Sequence, residues 1–107
     1  MSENLEFTAI TASGTAYAIH FPLHPETRSA EGVSLLMTRL LDCISEVVDT
    51  RRDLSDGDVL QALAMTLAIR ARITSNRAEA VASLVETLFR DAHAAACEAE
   101  PFAAGRA

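Results

Sequence analysis

Tryptophan and lysine are both absent from this 107-residue sequence, tyrosine occurs once and phenylalanine four times. With so few large rings, a core built from the 50% of residues that are hydrophobic, alanine the commonest among them, has to be thin, with helices approaching closely over small side chains. Thin cores recruit partner chains. The two cysteines, Cys43 and Cys97, are too few for a disulfide framework in a chain this long, and they read as free thiols. No apolar run approaches the ~20 residues of a membrane span. The start Met1-Ser2-Glu3-Asn4-Leu5-Glu6 is acidic where a signal peptide needs a basic start. A soluble, cytoplasmic protein with no membrane contact is the expectation.

The missing lysine leaves arginine as the whole basic complement, nine residues against fifteen acids, for a formal charge of −6. A duplex-binding domain carries a basic stripe that displaces counterions, so the charge balance makes nucleic acid an unfavourable partner. Arginine-only usage points to a GC-rich bacterial genome, and guanidinium forks suit pairing with the many carboxylates. No glycine-rich phosphate loop, nucleophile elbow, HExxH or paired active-site carboxylates occur. Hence no catalytic residue, cofactor or metal site is nominated.

What the sequence does contain is helical period. Val33-Leu36-Met37-Leu40-Leu41-Ile44-Val47-Val48 and Val81-Leu84-Val85-Leu88-Ala92-Ala95-Ala96-Ala99 recur at i, i+3, i+4, i+7, which gathers side chains on one face. Between them, Val59 to Ile73 is apolar almost all round, its narrow polar face reduced to Asp58, Gln61 and Arg72. Such a helix belongs at the centre of a bundle or at an interface. Caps mark the boundaries. Ser29 precedes the first helix and Glu31 lies in its first turn; Asp49-Thr50-Arg51-Arg52-Asp53 breaks it; Ser55 and Asp58 form a capping box for the second; Asn76 and Glu79 start the third. Helices over about 31–49, 56–73 and 76–99 follow.

Residues 5–21 alternate with period two and hold most of the aromatics, which predicts a hairpin. With Ser13-Gly14 as a two-residue loop, Ile10 faces Tyr17, Thr8 faces Ile19 and Glu6 faces Phe21, and Tyr17, Ile19 and Phe21 share a face that can cover the helices. Pro22 and Pro25 then impose a stiff connector. From Pro101 to Ala107 there is no pattern. The expected organisation is one domain over 1–100 with a loose tail at 101–107. Its fold class is α+β, mainly α, an N-terminal β-hairpin packed on a three-helix antiparallel bundle. A marginal two-stranded sheet, a thin core and the apolar second helix together point to a homodimer.

Few side chains stand out as sites. His20 and His24 are four apart, but Pro22 forbids the helix that would align them, so a shared metal needs a turn and a further ligand such as Glu26. His93 and Cys97 do have helical spacing, yet two ligands fall short of the four that structural zinc requires. Asp53-Leu54-Ser55-Asp56-Gly57-Asp58 fails as a calcium loop, because a glycine at its sixth position puts Arg52 first and Leu54 third. Arg51-Arg52, ringed by Asp49 and Asp53, reads as a solvated corner. Arg70 lies between Val59 and Leu63 on the helical wheel, where a guanidinium must reach water or find a partner. As a recognition helix the third helix would offer Glu79, Ser83 and Glu86 to DNA, and acids repel phosphates.

The function expected from these surfaces is that of a small non-enzymatic bacterial regulatory or adaptor protein working through protein–protein contacts as a homodimer. One alternative is a small enzyme or ligand-binding protein with Tyr17, His20 and Arg70 around a pocket between hairpin and helices. The other is a DNA-associated regulator, with Arg70, Arg72 and Arg77 near the turn between the last two helices.

Overall fold

The period-two segment and the three helical segments each form the element that their spacing predicts. The computed structural model describes residues 4–74 and 77–103. Two strands, β1 (Asn4–Ile10) and β2 (Thr15–Pro22), precede helices α1 (Ala30–Thr50), α2 (Asp56–Thr74) and α3 (Ala78–Glu98), and a short strand, β3 (Pro101–Ala103), closes the series. The class is α+β and mainly α.

The hairpin turns differently from the two-residue loop expected at Ser13-Gly14. Thr11 N–H donates to the Thr15 carbonyl (2.8 Å), and Gly14 N–H donates to the Thr11 carbonyl (3.0 Å). Thr15 N–H also donates to the Thr11 hydroxyl (3.1 Å). Ala12, Ser13 and Gly14 therefore make a longer loop that ends in a left-handed residue, Gly14 at φ +92°. The register moves by one residue, pairing Leu5 with Phe21, Phe7 with Ile19, Ala9 with Tyr17 and Ile10 with Ala16. Sidedness is the physical reason. Opposed residues share a face, so this register unites Leu5, Phe7 and Ala9 with Tyr17, Ile19 and Phe21, whereas the shorter loop would place Glu6 among them.

A second correction concerns the chain's end. Residues from Pro101 onward, expected to be loose, pair antiparallel with β2 as far as Ala103, with Tyr17 opposite Pro101, Ala16 opposite Phe102 and Thr15 opposite Ala103. The sheet has three strands in the order β1-β2-β3. Proline is tolerated as the first residue of such a strand, where no ladder donor is needed. The expectation for 104–107 lies outside the described residues.

Two of the helix starts are capped as their sequences require. Gly32 N–H donates to the Ser29 hydroxyl (2.9 Å) at α1. At α2 the box is reciprocal: Asp58 N–H donates to the Ser55 hydroxyl, and Ser55 N–H donates to the Asp58 carboxylate, both at 3.1 Å. The cap expected at Asn76 lies outside the described residues. Thr50 and Thr74 close their helices by donating their hydroxyls to the carbonyls of Glu46 (2.9 Å) and Arg70 (2.6 Å).

Contacts divide the chain into two units. The first takes in 4–34 and 86–103 and holds the sheet; the second is 35–85, with most of α1, all of α2 and the start of α3. Among the described residues only Ala16 and Ile19, both on β2, are buried apolar side chains. Neither α1 nor α2 buries any residue. The stripes expected to be shielded are only half covered, Leu40 being 46% and Leu88 43% exposed. Gly14 carries the turn that sets the sheet register, and a Cβ there would meet nothing within 4 Å, so only its positive φ resists substitution. Gly14→Ala is expected to lower stability by about 1 kcal/mol and Gly14→Asn by less, read from urea unfolding midpoints.

Candidate functional site

An apolar groove lies in the second unit. One wall is the α1 stripe, with Leu40, Ile44 and Val47; the other is α2, with Val59, Ala62 and Leu63; Leu54 from the intervening loop closes one end of a groove of about 260 Å³. Asp58 is the charged residue at its edge, with one carboxylate oxygen already held by the backbone of Ser55. Cys43 also lines the groove and is an exposed free thiol. Nothing polar converges on the groove floor, so it suits apolar side chains rather than a small polar ligand.

The rest of α2 is wet. Leu60 is 67% exposed, and Met65, Leu67, Ile69 and Ile73 are exposed with it. Charge is confined to the two ends of this helix, Asp56 and Asp58 in the first turn and Arg70 and Arg72 near the last, with none from Val59 to Ile69. α3 adds Leu84, Leu88 and Phe89, all exposed.

The residues nominated from the sequence for a pocket fall in both units. Tyr17 and His20 stand on β2, Tyr17 half-buried between Ala9 and Pro101, and His20 exposed with its Nε2 3.5 Å from a Glu6 carboxylate oxygen. His20 also lines a more polar hollow of about 310 Å³ in the first unit, together with Ala18, Ala95, Glu98, Ala99 and Glu100. Arg70 belongs to the second unit, where it is exposed and makes no ion pair with a described residue. His24 does not join His20: its Nδ1 accepts the Glu26 N–H at 3.1 Å and fixes the Pro25 turn.

On α3 the helical spacing of His93 and Cys97 does bring them together, with Sγ 3.6 Å from Nε2. One turn earlier Phe89 stacks on the His93 ring at a centroid distance of 5.4 Å. The i, i+4 spacing of Phe89 and His93 carried this second contact in the sequence, where it went unread. Among the described residues no three potential ligands cluster around a metal position. No helix among them is long and apolar enough to cross a membrane.

The corner between α1 and α2 is an ion pair. Arg51 presents a two-pronged fork to Asp53, Nε to Oδ1 at 3.1 Å and Nη2 to Oδ2 at 2.8 Å. This contact lowers the Asp53 carboxyl below its ordinary range and raises the Arg51 guanidinium, both side chains being exposed.

No protein-family model, curated protein or solved structure matches this chain.

A carboxyl depressed on folding contributes stability above its unfolded value and loses it as the pH falls through the folded one. Arg51→Ala is expected to move the Asp53 titration upward, toward the ordinary carboxylate range, followed by carbon NMR of the side chain. Its effect on the neutral-pH unfolding midpoint should be small, because both groups are exposed.

Proposed function

We propose that this chain is a small, non-enzymatic regulatory or adaptor protein that works as a homodimer through protein–protein contacts, and that its arginine-only basic complement marks a bacterial source. The observation that supports the reading is the surface of the helices: on α1 and α2 not one residue is buried, although leucine, isoleucine, valine and methionine recur along both. Contiguous apolar surface on this scale marks a protein-binding face. The acidity of the chain favours protein over nucleic acid, since phosphate contacts need basic residues. α3 offers Leu84, Leu88 and Phe89 as a second exposed apolar set for a heterologous partner. Half-exposed leucine and phenylalanine side chains of this kind are the anchors that a complementary pocket desolvates.

The test uses full-length protein carrying photo-leucine at positions 84 and 88, irradiated in extract of its native cells. A single heterologous protein should be crosslinked, and its purified form should bind saturably and lose roughly tenfold or more in affinity against Leu88→Asp. Self-adducts alone would refute the adaptor role while leaving self-association intact.

A further inference from the structure

We propose that a second copy of this chain covers α2, the two α2 helices lying antiparallel across their Leu60, Ala64 and Leu67 faces. The assignment rests on the homodimer reading above and gives it a surface.

Exposure is the first argument. Along α2, Leu60, Met65, Leu67, Ile69 and Ile73 are 67%, 57%, 47%, 63% and 65% exposed, an apolar run down the length of the helix. Uncovered apolar side chains in such a run are the material of an interface core, for which a standard contact takes ~800 Å² from each partner.

The second argument is sidedness. In the second unit α2 turns Val59, Ala62, Leu63 and Thr66 toward the groove shared with α1. The face beside it is also apolar: Leu60, Ala64, Leu67 and Ala68, with Leu60 67% and Leu67 47% exposed. A helix apolar all round requires cover all round, and α1 supplies one side. Ala64, Ala68 and Ala71 leave room for another backbone to come close.

Charge selects a copy of this chain as the occupant. The acidic start and basic end of α2 make it self-complementary when reversed: an antiparallel copy sets Asp56 and Asp58 beside the turn that carries Arg70 and Arg72, and a parallel copy sets like against like. On the helical wheel Asp56 and Arg70 fall on one flank of the Leu60–Ala64–Leu67 face, whereas Asp58 points to the far side, at the edge of the groove. A two-fold axis near Ala64 therefore brings Asp56 of each copy to Arg70 of the other along that flank. The helix macrodipole favours the same end charges within one chain, but it leaves the exposed leucines between them unexplained.

Analytical ultracentrifugation of the full chain tests this. A dimer is expected, and Leu60→Asp should raise its dissociation constant by roughly a hundredfold or more. Asp56→Arg or Arg70→Asp alone should raise it by roughly tenfold, and the two combined in one chain should return it to within about threefold of the starting value. A macrodipole effect alone predicts the opposite, with the combined variant weaker than either single one. A monomer at about 100 μM would overturn both the assignment and self-association. A dimer indifferent to Leu60→Asp would overturn the assignment and keep the dimer, and a combined charge variant that stays weak would overturn the antiparallel pairing. None of these results bears on the heterologous partner sought by crosslinking, so the two readings fail separately.

Discussion

Apolar side chains that the chain's own folding leaves in water are the constraint on which everything else depends. Two residues of β2, Ala16 and Ile19, are buried, while the leucines of α1, α2 and α3 are commonly about half exposed. Covering such a side chain fully returns on the order of 1 kcal/mol, and stabilities of whole domains amount to only about ten times that. In the proposed dimer folding and association would be one event, and stability could not be separated from protomer concentration.

The sheet is held by other means. Its register follows from a turn whose three hydrogen bonds tie Thr11, Gly14 and Thr15 together, and from an apolar face that only this register keeps continuous. β3 then takes up the edge of β2 that the hairpin leaves open. Local backbone bonds account for the sheet of the first unit, while α1 and α2 bury no residue.

Much of this was legible. Helix existence and ends could be read from period and caps, because a serine placed to accept an N–H three residues on leaves a plain signature, as at Ser29 and Ser55. The hairpin was equally plain, but its loop was not: Ser-Gly fits both a two-residue turn and the end of a three-residue one. Grouping Leu5, Phe7 and Ala9 with Tyr17, Ile19 and Phe21 would have chosen correctly, since it keeps Glu6 off the apolar face. β3 could not be read, because three residues beginning with proline carry no periodicity. Of the candidate site residues, Tyr17 and His20 share a strand by simple alternation, whereas the groove with Cys43 depends on how α1 meets α2, which spacing along one helix does not encode.

β3 has a consequence for the lifetime of the protein. Proteases nick exposed, loosely held segments, and the residues that such a cut releases commonly belong to no ladder. Here Phe102 sits in the ladder opposite Ala16, the most deeply buried side chain described. A cut between α3 and β3 therefore takes a strand from the sheet and uncovers the edge of β2 beside Ala16.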